Sequence, residues 1–107
     1  MRFFLTLATA CSLAGHAHAE TIRGMGARPC AEWVQARRDG GRDFWAEQWV
    51  LGYLSGVNAT APPHQASLFV AGDDKPVFAA VDGYCQTHTQ DMLWSAVKAV
   101  VAQRRAS

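Results

Sequence analysis

Lysine occurs only twice in this chain of 107 residues, at Lys75 and Lys98, and no run of Lys and Arg forms a stripe. That scarcity excludes nucleic acid as a partner, because phosphate binding demands clustered cations, and it excludes a polybasic hold on an anionic membrane. Cysteine is scarce as well. Cys11, Cys30 and Cys85 are too widely spaced for a Cys-x-x-Cys redox pair or a Cys-x-x-Cys-His haem attachment. No glycine-rich phosphate loop follows a strand, and Ser55, Ser67 and Ser95 lack the nucleophile-elbow setting of a hydrolase. His88 and Asp91 lie three apart and His64 falls in a loop, which is short of a zinc site with its full ligand set and supporting outer residues. A solvent-facing histidine at a helix cap accounts for His88, and helix capping accounts for Asp73 and Asp74. The residues therefore predict no catalytic group, no cofactor and no metal, and point away from an enzyme.

No apolar run reaches the roughly 20 residues that a membrane-spanning helix requires. The run that comes nearest is at the start: Arg2 is followed by the uncharged, mostly apolar Phe3 to Gly15, and Ala17-His18-Ala19 places small residues where a signal peptidase reads. This pattern predicts an export signal over residues 1–19, cleaved after Ala19, and a periplasmic mature chain. An alternative is that Leu7-Ala8-Thr9-Ala10-Cys11 is a lipoprotein signal with Cys11 the lipidated terminus, although Ala8 stands where a larger aliphatic is usual. Cleavage after Ala19 leaves nine basic and nine acidic residues, a net charge near zero, and two cysteines. An even pair in an exported chain reads as a disulfide between Cys30 and Cys85. Closing a loop of that length stabilises a fold by about 4 kcal/mol on the chain-entropy model.

Residues 20–28, with Gly24 and Gly26, have no apolar period and read as a flexible leader to a single helical domain over 29–107. Pro29 suits a helix start, and Cys30, Trp33, Val34 and Arg37 share one face until Asp39-Gly40-Gly41 stops the helix. Asp43 is the expected N-cap of a longer second helix, from Phe44 to about Val57. On it Trp45, Trp49, Gly52, Tyr53 and Gly56 form one stripe, and Val50, Leu54 and Val57 another. A helix apolar on two sides is expected at the centre of a bundle. Each interior glycine costs about 1 kcal/mol relative to alanine, so Gly52 and Gly56 predict a neighbour packed on bare backbone, either another helix or a partner in a groove. The Trp45 to Gly56 stripe is the candidate partner surface, including for self-association.

Residues 58–75 read as a long loop broken by Pro62-Pro63 and Gly72-Asp73-Asp74, with Ser67 to Ala71 an apolar patch that either covers the core or lies open. Asn58-Ala59-Thr60 fits a glycosylation sequon, a motif common by chance. A third helix begins at Asp73 or Asp74 with Pro76 in its first turn and carries Val77, Phe78, Val81, Tyr84 and Cys85 at helical spacing. Thr87 and Gln90 have capping-box spacing for a fourth, with Met92, Leu93, Ala96, Val97, Val100 and Val101 as its stripe and Arg104 and Arg105 at its end. The fold class expected is all-α, a small four-helix bundle-like domain tied by one disulfide.

Cys30-Ala31-Glu32-Trp33-Val34, Trp49-Val50-Leu51-Gly52-Tyr53-Leu54-Ser55-Gly56 and Val81-Asp82-Gly83-Tyr84-Cys85-Gln86-Thr87-His88, followed by an amphipathic helix, resemble the small exported HdeA/HdeB acid-stress chaperones. They are similar also to the Rap/Tai immunity proteins that guard the periplasm against type VI secretion effectors. The likeness runs over most of residues 30–101. It implies a helical fold with bonded cysteines and a role in binding proteins without catalysis: protection of clients under stress, neutralisation of a toxin, or, from a different class, inhibition or assistance of a cell-wall hydrolase. The sequence departs from the chaperones in lacking a lysine-rich tail, and from the immunity proteins in lacking further cysteines.

Overall fold

A computed structural model describes residues 21–106; the expected export signal, its expected cleavage point and Cys11 lie outside the described residues. Among the described residues four α-helices form the framework: α1 (Cys30–Arg38), α2 (Phe44–Thr60), α3 (Lys75–Thr87) and α4 (Leu93–Ala106), preceded by a 3-10 turn (Gly24–Ala27). No strand is present among the described residues. Cys30 and Cys85 are bonded, with Cα atoms 5.0 Å apart.

Local chemistry sets most of the boundaries. Asp43 caps α2 by accepting the Ala46 N–H at 3.1 Å, satisfying one of the free donors of the first turn. At the end of α1, Gly40 N–H donates to the Arg37 carbonyl and Gly41 N–H to that of Ala36, a Schellman arrangement that needs a left-handed residue; Gly40, with φ of 71°, supplies it. The start of α1 is satisfied from a distance. Cys30 N–H donates to Asp91 O at 2.7 Å, Ala31 N–H to Thr89 O at 2.9 Å, and Leu93 N–H to Arg28 O at 2.9 Å. The segment entering α1 is thus stitched to the turn between α3 and α4, beside the disulfide.

The core joins Trp33 and Val34 of α1, Ala46, Val50 and Leu54 of α2, Val77, Phe78 and Val81 of α3, and Leu93, Ala96, Val97 and Val100 of α4. Leu68 completes it from the long loop. The Ser67 to Ala71 patch therefore covers the core through Leu68. The Asn58 side chain fixes it there, accepting the Leu68 N–H at 3.0 Å and donating to Ser67 Oγ at 3.2 Å.

Four expectations are corrected. The leader is not wholly ahead of the fold: Gly24–Ala27 packs against α2 and α4, and a Cβ on Gly26 would fall 2.0 Å from the Trp49 ring, a closeness only glycine permits. Nor is α2 the central helix. The most extensive contacts join α3 to α4 and to α1, whereas α2 packs on the 3-10 turn and α4. Gly52 and Gly56 have no neighbouring helix on them, since nothing lies within 4 Å of where their Cβ atoms would be. The Thr87 capping box does not form. Thr87 Oγ1 turns back to the Tyr84 carbonyl at 3.3 Å, because α3 runs on through Thr87 and α4 starts only at Leu93.

Candidate functional site

Of the residues on α2, only Glu47 is charged, and it points inward, 1% exposed. The helix departs from an ordinary surface helix at its N-terminal half: its one carboxylate is buried beside Ala46, Val50 and Leu54, and two aromatic residues face outward. Phe44 is 57% and Trp45 72% exposed, and their rings meet edge-on at 5.5 Å. Beyond Trp45 the outward stripe continues through Gln48, Gly52, Ser55 and Gly56, all exposed. The hydroxyls of this region are turned back on their own helix, Ser55 to Leu51 O at 2.7 Å and Thr60 to Gly56 O at 2.9 Å. What remains outside is an uncharged surface, bulky at its N-terminal end and bare backbone toward its C-terminal end. Charge depletion with aromatic enrichment is the compositional mark of the centre of a protein interface.

The five residues of the candidate partner stripe divide into two groups. Trp45, Gly52 and Gly56 are open to solvent. Trp49 and Tyr53 are half-buried, stacked on each other with centroids 5.5 Å apart. Trp49 is committed to the 3-10 turn: its Nε1 donates to Arg23 O at 3.2 Å and its ring covers Gly24 and Gly26. Trp49 and Tyr53 form the rigid flank of the open stripe.

The inward side explains how the outward side is possible. A buried carboxylate must be paired, and Arg42 forks onto Glu47, with Nε at 3.0 and 3.1 Å from its two oxygens and Nη2 at 2.8 Å. Arg37 Nη1 approaches from α1 at 3.6 Å. Hydrogen bonding to Glu47, and then its charge, hold the Arg42 guanidinium above its usual basicity. Arg37 also donates from Nε to Asp82 Oδ1 at 2.9 Å, the oxygen that accepts Trp33 Nε1–H at 2.7 Å. Its guanidinium lies 4.7 Å from the Trp33 ring centroid and 5.8 Å from that of Phe78, a cation held over two aromatic faces. This network ties α1, α2 and α3 together. Sequence reasoning missed it, although Glu47, the single charge in an otherwise apolar helix, was the available signal.

A second polar cluster sits at the α3–α4 corner. Tyr84 donates its hydroxyl to Asp91 Oδ2 at 2.6 Å, and its ring stacks on His88 at 4.0 Å. The hydrogen bond to Asp91, then burial, raise the Tyr84 phenol above its ordinary value. His88 Nδ1 lies 2.9 Å from both Tyr84 O and Thr87 Oγ1. His88 is thus a helix-end residue whose carbonyl accepts the Asp91 N–H at 3.0 Å, while its ring nitrogen bonds Tyr84 O and Thr87 Oγ1. Two shallow clefts flank Arg37, one lined by Val34, Arg38, Asp82 and Gln86 and the other by Arg42, Glu47, Asp73, Asp74, Lys75 and Phe78. Neither contains a serine, cysteine or histidine. Among the described residues no three His, Cys, Asp or Glu side chains are placed to hold one metal ion, and no helix is long and apolar enough to cross a membrane.

Set against protein-family models, curated proteins and solved structures, the chain finds no match in any of the three.

Proposed function

We propose that this is an exported, non-catalytic protein-binding protein of the periplasm, stress-protective in the manner of the HdeA-like helical proteins it resembles, and that it meets its partners through the outward face of α2. The observation that carries the reading is the outward side of that helix: its only charge is buried, and Phe44 and Trp45 are outside. Exposing a tryptophan and a phenylalanine side by side has no packing benefit within the chain, and contiguous apolar surface of this kind marks sites of association. Export is supported by the basic, apolar and small-residue pattern of residues 1–19 and by the bonded Cys30 and Cys85, since such bonds persist in oxidising compartments.

The test is protection of an acid-labile client. Mixed with the mature chain and acidified, the client should scatter less light than alone, and Phe44→Ser/Trp45→Ser should abolish the difference while leaving the helical circular dichroism unchanged. Client scattering identical with and without the protein would reject the reading.

A further inference from the structure

On the side of α2 turned away from Trp45, Glu47 borders a cleft of about 410 Å³, within the range of small-molecule sites. Its lining is of mixed sign, three cations and three carboxylates around the ring of Phe78. Some of these charges are spent within the chain and some are not. Arg42 is committed to Glu47. Arg37 gives its Nε to Asp82, but its Nη1 stands 3.6 Å from Glu47, beyond hydrogen-bond reach, and neither of its Nη groups donates a hydrogen bond among the described residues. The guanidinium is held over the Trp33 and Phe78 rings, which fixes this free edge in place. The Lys75 ammonium makes no ion pair among the described residues. Asp74 stands at the N-cap of α3, yet its side chain caps nothing. Asp73 uses Oδ1 on the Lys75 N–H at 3.0 Å and has Oδ2 to spare.

The cleft therefore presents unused donors and unused acceptors together. A simple anion entering it meets Glu47, Asp73 and Asp74 as like charges, and a simple cation meets Arg37, Arg42 and Lys75 in the same way. A molecule carrying both signs satisfies both sets, because each of its ends faces the opposite charge. The neighbouring cleft does not offer this. Arg38 is uncommitted there, but its one carboxylate, Asp82, already accepts from Trp33 and Arg37. We propose that the cleft beside Glu47 binds a small zwitterion of the amino acid and dipeptide class. Its carboxylate is taken by the Nη groups of Arg37 and by Lys75, and its ammonium by Asp73 and Asp74. Phe78 is only 8% exposed and offers little apolar area, which selects ligands with small side chains. Such contacts are made in the open, against full hydration of both charges, so Kd lies between about 0.1 and 1 mM. The site lies apart from the Phe44 and Trp45 face and does not depend on it.

The mature, oxidised chain is titrated with alanine and with alanylalanine while its amide proton and nitrogen chemical shifts are followed. At least one of the two should saturate with Kd at or below about 1 mM, with the largest shifts at Asp74, Lys75 and Phe78. No saturating shift from either below about 10 mM would overturn the proposal. Blocking one end of the ligand that binds is the sharper test. Its N-acetyl derivative, an anion, and its amide, a cation, should each bind at least about tenfold more weakly; either one matching the zwitterion would overturn the two-charge reading. Asp74→Asn retains a capping residue and Lys75→Gln is exposed, so both variants keep the fold. Each should raise Kd about tenfold, and an unchanged Kd in both would overturn the site. Arg38→Gln in the neighbouring cleft should leave Kd unchanged; a loss there would place the ligand in that cleft and overturn the assignment. Phe44→Ser/Trp45→Ser should likewise leave it unchanged, which would show the two sites to be independent.

Discussion

α3 and α2 are built from similar proportions of apolar residues, and both bury an apolar stripe, but they differ in what else they bury and expose. In α3 the apolar positions Val77, Phe78, Val81 and Cys85 are buried and the ionisable Lys75 and Asp82 reach solvent or the polar network at its edge, the arrangement expected of a helix that holds a fold together. In α2 the buried side includes the carboxylate of Glu47, and the aromatic Phe44 and Trp45 are outside. The difference separates scaffold from surface: α3 is joined to α1 by a disulfide and to α4 by packing, whereas α2 keeps one face free and spends a buried ion-pair network on turning its charge away from it.

That contrast can be broken at its strongest point first. Replacing both cysteines with alanine should lower stability by about 4 kcal/mol on the loop-entropy model, read as a lower urea midpoint, because it unties α1 from α3. Glu47→Ala should cost about 2 kcal/mol, mainly through the cavity left in the core, because Arg42 is largely exposed and Arg37 keeps Asp82; a thermal melt close to wild type would show that the inward carboxylate is incidental. Gly26→Ala should cost about 2 kcal/mol by overpacking against Trp49, with a change in tryptophan fluorescence as the 3-10 turn lifts. Gly52→Ala and Gly56→Ala have the opposite sign, each stabilising the monomer by up to about 1 kcal/mol at micromolar protein concentrations, because helix propensity improves and nothing is displaced. The smallest effect belongs to the α3–α4 corner. Tyr84 is raised by its hydrogen bond to Asp91, so its contribution is fully present below the unfolded phenol value and is lost as pH rises through the folded one; Tyr84→Phe should flatten that alkaline decline in the melting temperature.

Much of the framework was legible in the residues. Asp43 as the cap of α2, the stop at Gly40-Gly41 and the α4 stripe of Leu93, Ala96, Val97 and Val100 follow from local signals, and Cys30 with Cys85 from cysteine count; the structure has each of them, while Met92, expected to open that stripe, lies ahead of the helix and is exposed. Periodicity was less informative about α2, because it says which residues share a face and not which face turns inward. Hydropathy alone would bury Trp45 and expose Glu47; the reverse holds because Arg42 and Arg37 converge on Glu47 from outside the helix, a contact no spacing rule in one segment reveals. The same limit applies to Gly52 and Gly56. Their helix-propensity cost correctly marks an unusual site, but the chain itself supplies no occupant for it. Gly26 was the reverse case, an apparent leader residue whose missing side chain is required by a ring 23 positions further on.

The stitch between the entry to α1 and the turn before α4 bears on the order in which the chain assembles. Pro29, at the N-cap of α1, offers no side-chain acceptor, and the carbonyls that receive the Cys30 and Ala31 N–H groups belong to Asp91 and Thr89. A peptide of residues 28–41 in isolation would therefore lack a nucleus for its own coil-to-helix transition, and α1 becomes a late element, templated by the α3–α4 hairpin once that has closed.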